Sequence, residues 1–377
     1  MSKRRGHGEG AIFERKDGRW EARVDLGWEG GRRRYKSAYG KTRAEVVPKL
    51  TKLLAEKQAG RSVPSDRLTL GRFLTDWLEE TIRPNVRPKT FYSFEGIVRV
   101  HLVPGLGRHG LNKLEAQDVR RFINAKSASG LSPRTVQYIL AILRRALRAA
   151  EAEKLVTHNV AAVVDSPHVT APEMDPYDTG EVLELLEAVK GDRLEAVYTT
   201  AVALGLRRGE ALGLRWDDVD LEKGSLTVRQ QLQRVGGALM FSDPKTARSV
   251  RKLPLPQLLA DALKEHRARQ NEEKLRAGSK WANTASLVFT TKKGTPIEPR
   301  NLVRHFRMVT ERAGLRPQPF HGLRHASGSI LIAQGVNPRV VQQILGHSTP
   351  AMTSRYTHVV EKSVEEAAER MNEALVG

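Results

Sequence analysis

Apolar and polar positions alternate along the first forty residues and predict three short strands, Ala11–Arg15, Arg19–Asp25 and Arg32–Ser37. Turns at Lys16-Asp17-Gly18 and at Gly27–Gly31 separate them, and Asp-Gly between alternating runs is a strong hairpin signal. Thr42 followed by Glu45 forms a capping box for a helix to about Gln58, with Pro48 either inside it or marking its true first turn. From Leu68 to about Asn159 the spacing becomes helical, over 69–81, 88–101, 115–127 and 132–153. The breaks fall at Pro84, at Pro104-Gly105 and at Gly130 before the cap Ser132-Pro133. Residues 163–176 lack periodicity and hold three prolines, which predicts a linker. Beyond it come helices at 179–190, 192–204 and 208–214, strands near 225–234, 238–242 and 250–254, and helices at 256–277, 298–313, 321–334, 337–345, 349–356 and 362–374.

The predicted fold is therefore multidomain and mainly α with small β-sheets. Residues 1–60 form a three-stranded sheet plus a helix, 66–162 an all-α domain, 163–176 a linker, and 177–377 an α+β domain with a small antiparallel sheet and a C-terminal helix.

Length agrees, since 377 residues accommodate two or three domains. With 40% hydrophobic and 28% charged residues the chain can build real cores. A formal charge of +20 changes the picture more, because an excess of this size calls for an anionic partner, nucleic acid or membrane. No apolar run approaches the roughly 20 residues that span a bilayer, and Met1-Ser-Lys-Arg-Arg-Gly has no apolar signal core behind it, so nucleic acid and a cytoplasmic address are expected and a membrane is not. The charge is +8 over residues 1–60, +7 over 61–170 and +5 over 171–377, so the N-terminal half is the denser basic surface. There Arg15, Arg19, Arg23, Arg32, Arg33 and Arg34 form the candidate strand face for DNA, with a solvated basic hairpin as the alternative. The absence of cysteine removes disulfides, thiol catalysis and Cys-based metal sites. Gly40-Lys41-Thr42 resembles the end of a P-loop, but Tyr35 stands where the motif needs glycine, so ATP is not implied.

Five segments place a cation, an imidazole or a phenol beside a turn or helix end: Leu204-Gly205-Leu206-Arg207-Arg208-Gly209-Glu210, Asp243-Pro244-Lys245-Thr246-Ala247-Arg248, His321-Gly322-Leu323-Arg324-His325, Leu345-Gly346-His347-Ser348 and Arg355-Tyr356-Thr357-His358. Phosphoryl transfer to a side-chain oxygen needs a nucleophile, cations over the non-bridging oxygens and an acid for the departing alkoxide. Arginine suits the cation role because its planar fork grips two phosphate oxygens. Arg207 and Arg324 could so do with hydrogen bonds what two-metal nucleases do with ions. His321 and Arg324 fall on one face of a predicted helix. Tyr356 lies nine residues after His347, close enough to share the site without the spacing requiring it. Taken singly, each segment has a plainer reading as a solvated helix end, a turn, a cap or packing. His321 and His325 could also be a zinc pair, but Gly322 stands where metalloproteases carry Glu and no third ligand is evident.

In this order, the five segments resemble the successive motifs of the tyrosine recombinases of the phage integrase family. The resemblance covers essentially the whole chain: an arm-type N-terminal domain, a helical core-binding (SAM-like) domain and a catalytic domain. It implies that Tyr356 is the nucleophile forming a 3′-phosphotyrosyl bond, that Arg207 and Arg324 bind the scissile phosphate, and that Lys245 is the general acid for the 5′-hydroxyl. His321 and His347 would assist proton transfer and phosphate binding, and Glu210 would support Arg207. Arg207 rather than Arg208 matches the family's arginine because it directly follows Gly-Leu. Gly322 departs from the Asp of many relatives, which touches only the orientation of His321.

The resemblance further implies integration or excision of a mobile element or prophage, without metal, ATP or other cofactor. It implies double-stranded attachment-site DNA as partner, a homo-tetramer working through a Holliday junction, accessory DNA-bending or directionality proteins, and nucleoid association when DNA is bound. The helix at 362–374 either caps its own core or docks on a neighbour. The rival readings are a type IB topoisomerase, which the extra N-terminal module disfavours, a DNA-binding protein without strand exchange, and a metal-dependent nuclease, which the lack of a carboxylate cluster disfavours.

Overall fold

The computed structural model describes residues 10–29, 32–58, 68–170, 175–243, 250–347, 349, 371–372 and 375. Two compact units divide between Ala171 and Pro172.

In the first unit, strands β1 (Ala11–Glu14), β2 (Trp20–Glu29) and β3 (Arg32–Gly40) form an antiparallel sheet in the order β1-β2-β3, with Arg23 opposite Ala11 and Ser37. Helix α1 (Arg43–Gln58) covers one face, where Ala22, Val24, Val46 and Leu53 are buried. The expected capping box is half formed: Thr42 Oγ1 accepts from Glu45 N at 3.3 Å, but the Glu45 carboxylate accepts from Lys41 N at 2.9 Å, one residue before the cap. Pro48 lies inside this helix, not at its first turn, and its exposed ring leaves one carbonyl of the previous turn to water. Strand alternation puts Arg15, Arg23, Tyr35 and Tyr39 on the face away from α1.

The same unit contains a helical bundle: α2 (Leu70–Asp76), α3 (Pro88–Ile97), α4 (Val103–Leu106), α5 (Ala116–Ala128) and α6 (Pro133–Ala152). Two wide π turns, Trp77–Ile82 and Val98–Leu102, continue α2 and join α3 to α4. The chain consequently stays helical through Pro104, where the sequence predicts a break; the proline falls where the π turn passes into α4 and supplies no N–H to the turn before it. Helix α6 buries a stripe through Val136, Ile139, Leu140, Leu143 and Leu147, and Ser132 caps it by accepting from Thr135 N at 3.2 Å. Arg144 on this helix donates to Ala161 O at 3.0 Å and to Val164 O, tying down the chain that leaves the bundle.

The second unit opens with α7 (Thr179–Ala188), α8 (Glu195–Ala203) and the short α9 (Arg208–Leu212). Strands β4 (Val219–Asp220), β5 (Ser225–Val228), β6 (Gln231–Val235), β7 (Ala238–Ser242) and β8 (Arg251–Pro254) follow. The single strand expected over 225–234 is two. β5 lies between β4 and β8, whereas β6 turns away into a hairpin with β7. The break falls at Gln230, whose buried amide donates to Gly213 O at 2.8 Å and whose oxygen accepts from Arg215. Helices α10 (Gln257–Ala277), α11 (Pro299–Arg312), α12 (Gly322–Ala333) and α13 (Pro338–Leu345) complete the unit. Its core runs through Tyr198, Leu206, Leu212, Phe289, Phe306 and Leu323. The predicted helix at 349–356 lies outside the described residues apart from Thr349, which stands in a bend; of 362–374 only Met371 and Asn372 are described, and both are helical. Among the described residues, no helix is long and apolar enough to cross a membrane.

Candidate active site

Three helix ends meet in the second unit: the start of α9, the start of α12 and the end of α13. Gly346 follows α13 in the left-handed conformation at φ 62°, which lets Gly346 N donate to Gln343 O at 3.1 Å and His347 N to Gln342 O at 3.0 Å. This closure fixes His347 just beyond the helix end. It leaves the carbonyls of Ile344, Leu345 and Gly346 without helical partners, and a different arginine takes each: Arg251 Nε donates to Ile344 O at 2.8 Å, Arg324 Nη2 to Leu345 O, and Arg207 Nη2 to Gly346 O at 3.1 Å. The negative end of the helix dipole favours the same three cations.

Arg207 stands at the cap position of α9 in extended backbone, so its side chain points out of the turn. Glu210, three residues on, reaches back to it: Arg207 N donates to Oε2 at 3.0 Å and Arg207 Nη1 to Oε1 at 2.7 Å. Arg251, at the start of β8, donates from Nη2 to the same Oε2 at 3.0 Å. Burial pushes the Glu210 pKa up, but Arg251 and Arg207 outweigh it and hold the carboxyl below its ordinary range. Arg324 on α12 is only 2% exposed, and its Nη1 donates to Gly205 O at 2.7 Å. Two guanidiniums thus hold one carboxylate while Arg324 binds only backbone carbonyls in the same cluster, an excess of positive charge suited to a phosphodiester.

Two imidazoles adjoin this cluster. His347 is half-buried, and desolvation, with Arg324 and Arg207 next, pushes its pKa down to about 4. His321 caps α12 at the surface; the crowding of protein around it, then Arg324 and Arg207, lowers its pKa as well. Both rings are therefore neutral at pH 7, able to accept a proton on one nitrogen and donate from the other. His325 packs edge-on against His321 at 4.8 Å between ring centres. Among the described residues no three His, Asp or Glu side chains are grouped as a metal site.

The structure thus brings together Arg207, Glu210, His321, Arg324 and His347, while Arg208 is exposed. Lys245 and Tyr356 lie outside the described residues. Arg251 joins the cluster without having been singled out in the sequence. The available signal was its place in β8, where it shares the inward face with Leu253, an unusual position for an arginine.

On the N-terminal sheet, Glu21 is 1% exposed and accepts from Arg15 Nη1 at 3.2 Å, Arg23 Nε at 2.9 Å and Ser37 Oγ at 2.6 Å. Arg23 also lies over the rings of Phe13 and Tyr35, and Arg33 pairs with Asp25 at 2.6 Å. Arg19 sits in the turn, bonded to Asp17 at 2.8 Å, off the strand face. Arg32 and Arg34 lie on β3, and their side chains are outside the described set.

Residues 177–363 match the Phage integrase family, and residues 69–127 match the Phage integrase, N-terminal SAM-like domain. A tyrosine recombinase XerC-like protein of Caldanaerobacter subterraneus subsp. tengcongensis is 32% identical over 92% of this chain and 94% of its own. An integrase of Streptomyces ambofaciens is 31% identical over 94% and 92%. Among solved structures, the Tn1549 transposon integrase in complex with transposon right end DNA superposes with a TM-score of 0.66 at 22% identity, covering 81% of this chain and all of that one. A lambda integrase tetramer bound to a Holliday junction gives a TM-score of 0.57 at 18% identity, covering 94% and 96%.

Proposed function

The chain belongs to the phage integrase family of tyrosine recombinases, and on that premise we propose that its arginine cluster holds a scissile DNA phosphate for attack by Tyr356. It is an enzyme of site-specific recombination that cleaves and rejoins DNA strands of a mobile element. What carries the residue-level reading is the convergence of Arg207, Arg324, His321 and His347 around Glu210, on carbonyls that hold the cations in place before DNA arrives.

In this reading the Tyr356 Oη attacks phosphorus and the bond to the 5′ oxygen breaks. Arg207 and Arg324 neutralise charge developing on the non-bridging oxygens. Neutral His321 takes the phenol proton, and neutral His347 donates a hydrogen bond to the phosphate. Lys245 Nζ protonates the departing 5′ oxygen. The 3′-phosphotyrosyl bond keeps the energy of the broken phosphodiester, so the 5′-hydroxyl of a second strand can reverse the step without ATP. Glu210 takes no part in the bond changes and acts by holding the Arg207 guanidinium.

DNA is the partner, and the N-terminal sheet is the arm-type module. Arg15, Arg23 and Arg33 would be its DNA contacts, with Arg32, Arg34 and the turn residue Arg19 beside them. The bundle around α6 is the core-binding domain, and residues 177–377 are catalytic. Four protomers would act on two attachment sites, with accessory bending or directionality proteins as further partners, in the cytoplasm at the nucleoid.

The test mixes the protein with labelled, nicked, sequence-randomised duplexes in the absence of ATP and added metal. An SDS-resistant protein–DNA adduct formed by the wild type and not by Tyr356→Phe is the expected result. Equal adduct from both proteins, or none from either on attachment-site DNA that both bind tightly, would sink the reading.

A further inference from the structure

Arg207 has two partners, the Glu210 carboxylate and the Gly346 carbonyl; Arg251 holds the first directly and binds the turn that carries the second at Ile344 O. Arg251 is 8% exposed, on a different element from any motif residue. Its fork is pinned on two edges, by Nη2 to Glu210 Oε2 at 3.0 Å and by Nε to Ile344 O at 2.8 Å. A Cβ on Gly346 would lie 3.0 Å from Arg251 Nη1, so the guanidinium occupies the space that glycine leaves open.

A carboxylate turns easily about its last torsion, and Glu210 must present Oε1 to the Arg207 side chain while Oε2 meets the Arg207 backbone. Arg251 fixes the plane of that carboxylate from a second side, with Nη2 on Oε2 at 3.0 Å and Nη1 on Oε1 at 3.5 Å. It cannot move without disturbing the turn whose carbonyl holds the other side of Arg207. We propose that Arg251 is a positioning residue, one that sets the Arg207 guanidinium for the scissile phosphate through Glu210 and Gly346. This rests on Arg207 being a phosphate ligand. The competing account is that Arg251 only neutralises a buried acid, in which case its loss damages the fold and every substrate suffers alike.

The experiment compares two synthetic nicked duplexes of the sequence recovered from the wild-type adduct, one with an ordinary scissile phosphate and one with a neutral methylphosphonate there. The neutral centre needs less from a cation. Arg251→Gln should cut adduct formation on the phosphodiester by about 10²-fold, the scale of one lost charge-stabilising donor, and on the methylphosphonate by only a few-fold. Arg207→Ala should show the same imbalance, and the double variant should be no worse than Arg207→Ala alone. Equal losses on both substrates from a protein that melts like wild type, or no loss at all, would overturn the proposal. If Arg251→Gln does not melt cooperatively, Arg251→Lys, which keeps a charge beside Glu210 without the fork, is judged by the same ratio. A wild type that forms no adduct defeats the phosphotyrosine reading and this one with it; a wild type that does, beside an unimpaired Arg251→Gln, defeats this one alone.

Discussion

Gly205 lies so close to Leu345 that a Cβ built on it would come within 2.2 Å of Leu345 Cδ2. Its φ of +57° is left-handed as well, and its carbonyl is the acceptor that orients Arg324. Gly205→Ala should therefore cost about 1–2 kcal/mol of backbone strain and about 1–3 kcal/mol of overpacking. At roughly 2–4 °C per kcal/mol, the melting temperature of the second unit should drop several degrees. Adduct formation should fall more than the melting point explains, because Arg324 loses its reference carbonyl. An unchanged melting curve in differential scanning calorimetry would contradict this.

The depressed pKa of His347 gives stability a definite pH dependence. Between about pH 4 and the ordinary histidine value of 6.5 the unfolded chain binds a proton at this residue and the folded chain does not. Stability from this group is accordingly full above 6.5 and declines as the pH falls toward 4. His347→Gln should flatten that part of the curve of melting temperature against pH. An identical slope in the variant would show that the imidazole is not held neutral.

Lys245 makes a chemical prediction independent of its placement. Lys245→Ala should slow cleavage by about 10²–10⁴-fold, the usual cost of a missing general acid. A bridging 5′-sulfur leaves without a proton, so the deficit should largely vanish on that substrate. The same deficit on oxygen and sulfur leaving groups would remove the acid role.

On the N-terminal sheet, Arg23 is held by Glu21 and rests on Phe13 and Tyr35, so it is presented rather than free to roam. If it contacts a phosphate, Arg23→Ala should weaken binding across sequences and lower the slope of log affinity against log salt by about 1. A salt titration by fluorescence anisotropy that leaves the slope unchanged would move Arg23 off the backbone.

The elements with strong periodicity were legible in the sequence: α6 with its stripe and Ser-Pro cap, and α13 between Asn337 and Gly346. The Gln230 break was not, because a side-chain bond to Gly213 O, distant in the chain, ends the strand while the apolar pattern runs on. The π turns were equally silent, since one extra residue per turn barely alters the spacing of Trp77, Leu78 and Ile82. At the site, motif order pointed to Arg207, Arg324, His321 and His347. The partners of the arginines are backbone carbonyls, which every residue has, so nothing in the letters marks residues 344–346 as acceptors.

Those three carbonyls at the end of α13 have a consequence for turnover. An empty phosphate site built from several guanidiniums would ordinarily spring apart by mutual repulsion. If Arg207 and Arg324 hold the phosphate as proposed, the helix end serves as its placeholder, giving each cation a dipole to lean on. A reaction that passes through the same intermediate in both directions needs a pocket that is as ready after rejoining as before cleavage, and this one does not have to be rebuilt between the two.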